Sequence, residues 1–288
     1  MKLVTYDAGQ GPRLGALAGG GIVELSGIAP DMLSLIDGGA AALDAARAAL
    51  SAAAGVVPHE SARLLAPIPR PRKNIVCLGM NYAAHAIESL RAKGLPEELP
   101  EHPVFFTKAP TTVIGPDAEV PPHAAVTRKL DWEVELGVVL GRTGRDIPRE
   151  EAMGYVFGYT IINDLSARDL QARHQQFFKG KSLDGTCPMG PCIVTADELP
   201  GAGDLALTLR LNGRTMQDSR TRDLIFDIPA IIAELSRGQT VEAGDVISTG
   251  TPSGVGMGMD PQLWLKAGDV MEAEIEGIGV LRNRVAPA

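Results

Sequence analysis

A mainly β fold with a few helices is what this sequence predicts, and three observations carry that prediction. The 288 residues include 33 Gly and 21 Pro, many for a helical protein and suited to a fold with frequent turns. Short apolar runs of strand type recur along the chain, whereas helical periodicity is confined to a few segments. Those runs are not regularly interleaved with helices, which argues against a doubly wound βαβ sheet. Hydrophobic residues make up 45% and aromatics only 4%, so the core must be filled mostly by Val, Ile, Leu, Ala and Met.

In chain order, Lys2–Tyr6, Leu14–Ala18 and Gly21–Leu25 read as strands of a small meander, separated by Gly-rich breaks. Residues 40–54 are Ala-rich, carry Leu43, Arg47 and Leu50, and run into Gly55, the pattern of a short helix with a glycine stop. Pro67, Pro69 and Pro71 disfavour helix and central strand between Pro58 and Arg72. The boundary falls there, between a small N-terminal α+β domain (1–70) and a main domain (71–288). Beyond it, Asn74–Gly79 reads as a buried strand and Asn81–Lys93 as a helix, with loop and strand over Pro100–Pro122. Leu130–Gly141 and Tyr155–Asn163 read as strands. Ser166–Phe178 reads as a helix, with Ser166 as its N-cap and Asp169 three residues on. Leu205–Asn212, Val246–Thr249 and Val270–Ile275 are further strands. Ile225–Ser236 is an amphipathic helix with Ile228, Ile231, Ile232 and Leu235 on one face.

The net charge of −8 offers no basic footprint for nucleic acid or an anionic membrane. An anionic substrate would need a local positive site, such as a metal or a few placed cations. The three cysteines, Cys77, Cys187 and Cys192, form no disulfide framework and point to a reducing, cytoplasmic compartment. The sequence contains no apolar run long enough for a transmembrane helix and no N-terminal signal pattern.

Chemistry concentrates in five places. In Leu130–Leu140, Trp132, Val134 and Leu136 alternate with Glu133 and Glu135, so both carboxylates leave one face of a strand, about 6.6 Å apart along it. That pattern fits solvated glutamates on a surface strand, or a pair gathered around a hard divalent cation. Asp164 stands at a strand-to-helix junction, with Arg168 and Gln171 three apart on the next helix. It could cap that helix, or serve a site for a metal and an anionic substrate. His85 and Glu88 are helical neighbours at i, i+3, a surface pair or a general base with its orienting carboxylate. Lys181 is either an exposed loop lysine or a stabiliser of an oxyanion or enolate. Gly250, Gly254 and Gly256 around Thr251 permit close backbone approach but match neither a Walker A loop nor a dinucleotide fingerprint.

Five blocks in order, GMNYAAHAIE, LDWEVELGVVLGR, GYTIINDLSARDLQ, KGKSLDGTCPMGP and GDVISTGTPSGVG, resemble the fumarylacetoacetate hydrolase family from about Asn74 to Val285. Residues 1–70 resemble the small N-terminal domain of its bacterial members. The resemblance implies a mixed β-sandwich roll and a homodimer. It also implies that Glu133, Glu135 and Asp164 hold Mg²⁺ or Mn²⁺, that His85 and Glu88 activate water, and that Lys181 stabilises an enolate. Arg168, Gln171 and Thr251 match substrate-facing positions. The segment Leu90–Pro103 is expected to border the site, and Ser219–Asp223 departs from the family's form in a way that could bear on substrate choice.

The expected activity is metal-dependent C–C hydrolysis of 2,4-dioxo acids (acylpyruvates), releasing pyruvate or a related 2-oxo acid. The same residues support two alternatives, oxaloacetate decarboxylation and 2-hydroxyhepta-2,4-diene-1,7-dioate isomerisation. A catalytically silent, metal-bound binding protein is the rival of another class.

Overall fold

A computed structural model of the chain describes residues 1–52, 56–92 and 94–287. Its centre is a twelve-stranded sheet. Across it, in order, lie Val56–Pro58, Gly21–Glu24, Pro12–Ala18, Lys2–Asp7, Cys187–Thr195, Val156–Asn163, Val134–Leu140, Val246–Ser248, Ile75–Gly79 and Val104–Lys108. Arg63–Leu65 and Val113–Ile114 attach beside this path, to Lys2–Asp7 and Cys187–Thr195 respectively. A five-stranded sheet runs Arg214–Arg220, Ala206–Leu211, Val270–Ile275, Gly279–Val285 and Glu119–Val120. The fold is mainly β, as the turn-rich composition predicts.

Strand alternation explains how the layers pack. Val134, Leu136, Val138 and Leu140 enter a core shared with Leu207, Leu209, Met271 and Ala273 of the five-stranded sheet. Glu135, Gly137 and Val139 necessarily leave by the opposite face. There Val139 joins a second core with Leu3, Leu14, Val23, Leu35, Cys77 and Cys187. Burying each large aliphatic side chain contributes roughly 1.5–3 kcal/mol. The N-terminal strands are continuous with the large sheet, since Leu3 pairs with Ile193 and Lys2 with Val194.

Several expectations are corrected. Leu130–Gly141 is not one strand: Leu130–Asp131 pairs with Ser166–Ala167, and a second strand begins only at Val134. Between them the ladder yields to side chains, Glu133 N donating to Asn163 Oδ1 and Val134 N to Gln217 Oε1, each at 3.0 Å. Nor is Ser166–Phe178 one helix capped by Ser166. Ser166 lies in the short strand, its hydroxyl donating to Asp164 O, and helices occupy Arg168–Arg173 and Phe178–Lys181. Asp169 instead accepts from Thr127 Oγ1 and Arg128 N.

The Ala-rich helix spans Gly39–Ala52 and follows an unforeseen one, Met32–Asp37, whose N-cap Asp31 accepts from Ser34 N. The expected stop at Gly55 and the Lys93 end of the His85 helix lie outside the described residues. The Pro-rich stretch still yields the edge strand Arg63–Leu65. Cys187–Thr195 becomes a central strand despite Pro188 and Pro191, with a register shift opposite Tyr159–Ile161 that accommodates them.

Candidate metal and acid–base site

Strands and three helices, Ala83–Ala92, Arg168–Arg173 and Phe178–Lys181, converge on one narrow cleft of about 30 Å³, lined among others by His85, Glu133, Glu135, Arg168, Lys181 and Thr251. Glu135 comes from the Val134–Leu140 strand, and Glu133 from the break just before it. Asp164 directly follows the Val156–Asn163 strand and is held there by its own N–H, which donates to Glu133 O at 2.8 Å. One oxygen from each of Glu133, Glu135 and Asp164 lies within 4.8 Å of the others. All three are buried, so the alternative of solvated glutamates on a surface strand is excluded.

The cations are equally buried. Lys181 Nζ donates to Glu133 Oε2 at 2.7 Å and to Asp164 Oδ2 at 2.6 Å. Its alternative as an exposed loop lysine is therefore excluded as well. Arg168 Nη2 donates to Glu133 Oε1 at 2.6 Å and Nη1 to Gln171 Oε1 at 3.2 Å. Burial raises the Glu133 carboxyl, but Lys181 and Arg168 outweigh it and hold it below the usual carboxylate range. Burial likewise disfavours the Lys181 ammonium, yet Asp164 and Glu133 outweigh that and keep it protonated.

Glu135 is the exception. Among the described residues it accepts only from neutral donors, Ser248 Oγ at 2.6 Å and Gly250 N at 2.7 Å. Burial, followed by the charges of Asp164 and Glu133, pushes its pKa up to about 8. Asp164 Oδ1 is buried against Lys108 Nζ, 2.7 Å away, which also donates to Leu165 O. Four buried carboxylates (Asp131, Glu133, Glu135, Asp164) face three buried cations (Lys108, Arg168, Lys181). An unneutralised glutamate within one all-oxygen cluster fits a hard divalent cation.

His85 reaches the cleft from the helix Ala83–Ala92. Asn81 fixes the start of that segment by donating to Thr249 O and Phe226 O and accepting from Phe226 N. His85 Nδ1 lies 3.2 Å from Glu88 Oε2. With Nδ1–H donating to that carboxylate, Nε2 keeps the lone pair. Glu88 does not itself line the cleft.

Thr251 lines the cleft, but its hydroxyl is committed, donating to Val134 O and accepting from Gln217 Nε2. From the Leu90–Pro103 segment, Ala92 lines an adjoining cavity of about 440 Å³ that shares Arg168, Gln171, Phe177 and Met257 with the cleft. Ser219–Asp223 lies elsewhere, with Arg220 and Arg222 paired to Asp204.

Sequence reasoning missed Asp131, Lys108, Ser248 and Asn81. Asp131 had a signal, being two residues before Glu133 in the same alternating run. Its carboxylate accepts from Arg168 Nε, Trp132 N, Gly256 N and Met257 N. Lys108 had none, because only tertiary pairing brings it to Asp164.

Comparison with known proteins adds independent findings. The family model described as fumarylacetoacetate (FAA) hydrolase C-terminal matches residues 74–286. An oxaloacetate tautomerase, YisK of Bacillus subtilis (strain 168), is 51% identical over 223 residues, 77% of this chain and 73% of that protein. The structure of a fumarylacetoacetate hydrolase from psychrophilic Exiguobacterium antarcticum has a TM-score of 0.86 at 40% identity, covering 100% of both chains. Maleylpyruvate hydrolase from Sphingobium sp. SYK-6, in complex with manganese(II) and pyruvate, has a TM-score of 0.79 at 29% identity, covering 99% of both chains.

Proposed function

The chain belongs to the fumarylacetoacetate hydrolase family, and we propose that it is a divalent-metal-dependent tautomerase of oxaloacetate-type 2-oxo acids. The observation that carries this reading is that His85, paired with Glu88, and the Lys181 ammonium line one narrow cleft. A base and a fixed cation facing one bound substrate suffice for keto–enol exchange, the base moving the proton and the cation holding the enolate. The relative named as an oxaloacetate tautomerase supports this substrate class over the acylpyruvates expected from sequence.

In the proposed mechanism Arg168 and Gln171 bind the substrate carboxylate. His85 Nε2 takes the C3 proton while Glu88 stabilises the imidazolium that results. The Lys181 ammonium stabilises the negative charge on the 2-oxygen while the imidazolium returns its proton there, completing the enol, and the reverse transfers restore the keto acid. Glu133, Glu135 and Asp164 would hold Mg²⁺ or Mn²⁺, which would supply Lewis-acid charge to stabilise an enolate. The manganese of the Sphingobium relative supports this choice of cation. The proposal includes a cytoplasmic homodimer, in keeping with three buried, unpaired cysteines. Among the described residues no helix is long and apolar enough to cross a membrane.

Hydrolysis of 2,4-dioxo acids is the second reading. It is favoured by the His85–Glu88 pair, which suits water activation, and by the likeness to maleylpyruvate hydrolase. Proton NMR in D₂O with Mg²⁺ separates the reactions. Accelerated exchange at C3 of oxaloacetate without pyruvate is the expected result. Pyruvate and CO₂ from oxaloacetate would indicate decarboxylation, and pyruvate with acetate from acetylpyruvate would indicate hydrolysis. Neither exchange nor product from oxaloacetate would overturn the tautomerase reading.

A further inference from the structure

The acid–base pair and the carboxylate cluster come from distant parts of the chain, and one loop joins them. Gly254 N donates to the two oxygens of Glu88 at 3.1 and 3.3 Å. Gly256 N and Met257 N donate to the two oxygens of buried Asp131 at 2.7 and 3.0 Å. Asp131 accepts from Arg168 Nε at 2.9 Å, and Arg168 donates to Glu133 at 2.6 Å. The loop therefore holds Glu88 at one end and, through Asp131, the arginine beside the metal carboxylates at the other.

Its three glycines face different neighbours. Gly254 has φ +104°, and a Cβ there would meet Met216 O. A Cβ on Gly256 would meet Leu263 O. Both obstacles are backbone and cannot yield without breaking the loop. At Gly258 the backbone conformation suits any residue, and the three atoms nearest to an added Cβ all belong to the Glu88 side chain.

We propose that Gly258 is a positioning residue for the His85–Glu88 pair. Its bare α-carbon leaves the space in which the Glu88 carboxylate rests, within reach of Gly254 N and against His85 Nδ1. A methyl group at this position drives the carboxylate out of that space. Glu88 has somewhere to go, because an adjoining cavity of about 510 Å³ is lined by Glu88, Arg91, Gly258 and Asp260. The substitution thus separates Glu88 from His85 while leaving the loop backbone and the carboxylate cluster in place. The inference rests on the reading of His85 and Glu88 as the proton-handling pair.

The test compares Gly258→Ala, Glu88→Ala and the double variant with the wild-type protein. Three quantities are measured: Mg²⁺-dependent consumption of enol-oxaloacetate, Mn²⁺ affinity, and the His85 ring resonances by NMR. Gly258→Ala should lower kcat by roughly 10²-fold while KM and Mn²⁺ affinity stay at wild-type values. The double variant should be no slower than Glu88→Ala alone, since both changes remove one interaction. The His85 ring resonances in Gly258→Ala should move toward those of Glu88→Ala.

Wild-type kcat in Gly258→Ala, or costs that multiply in the double variant, would overturn the proposal. Should Gly258→Ala fail to fold, the double variant, which has room for the methyl group, must fold; its failure too would overturn the proposal. A wild-type protein inert toward enol-oxaloacetate would defeat the tautomerase reading, whereas the resonance comparison would still decide the role of Gly258.

Discussion

The N-terminal meander and the strand that carries Glu135 belong to one sheet and are built on opposite principles. In the meander, Leu3, Val4, Leu14, Ala16, Ile22 and Val23 are fully buried, and its charged residues stay at the margins. The Val134–Leu140 strand is buried on both faces, and beside its apolar alternation it carries Glu135 into a cluster of ionised groups. The first region lowers the free energy of the fold by removing apolar surface from water. The second takes charges out of water at considerable cost, offset by their mutual pairing and by the backbone and hydroxyl donors around Asp131 and Glu135. The difference separates what stabilises the molecule from what equips it to act on a substrate.

Breaking the second region should have the largest effect. Glu133→Ala leaves Arg168 and Lys181 without a shared carboxylate, so we expect Mn²⁺ binding to be lost and turnover to fall to the buffer rate. Stability should drop by about 3–5 kcal/mol, the usual cost of breaking a buried ion pair. Calorimetry and denaturant titration check both parts. Full Mn²⁺ affinity in this variant would remove Glu133 from the ligand set.

His85→Ala should lower turnover by roughly 10²–10⁴-fold, the range for removing a general base, with Mn²⁺ affinity intact. Parallel loss of metal binding would show that the two parts of the site are not separable. In the meander, Leu3→Ala should cost about 2–5 kcal/mol in urea unfolding and leave kcat unchanged in the folded fraction. A fall in kcat there would mean that the two regions are coupled.

A further effect, confined to the metal-free protein, is expected on pH dependence. The Glu135 carboxyl is raised from 4.5 to about 8 in the metal-free fold. Below pH 4.5 it is protonated in both folded and unfolded chains and imposes no penalty. As pH rises toward about 8, the unfolded chain releases the proton while the folded one retains it, so stability is lost across that window. The difference in melting temperature between wild-type and Glu135→Gln proteins, measured without metal, should follow this slope. Saturating Mn²⁺ should abolish it, and a flat difference without metal would contradict the assigned burial of an unneutralised carboxylate.

How much was legible in the sequence follows the same division. Short apolar runs located the meander and the Ile75–Gly79 strand, and helical periodicity the apolar face of Ile228–Ser236, because burying apolar surface imposes a pattern. The acids at 133 and 135 were visible, but a solvated and a buried glutamate look identical in a strand pattern. Only their order among other motifs distinguished the two. Lys108 was invisible, since its contact with Asp164 depends on strand pairing far from either residue. The interruption at Trp132–Glu133 was hidden for a related reason: its hydrogen bonds come from the side chains of Asn163 and Gln217. Ser166 misled because the residue type preferred at an N-cap also suits a short strand whose hydroxyl finds a backbone carbonyl.

The most direct test of this account is Mn²⁺ titration of metal-stripped protein with enol-oxaloacetate decay followed at each addition. One Mn²⁺ bound per chain, with catalysis rising in proportion and both lost in Glu133→Ala, Glu135→Ala and Asp164→Ala, is the predicted result. Full catalysis by the metal-stripped protein, or Mn²⁺ binding that survives all three substitutions, would contradict it.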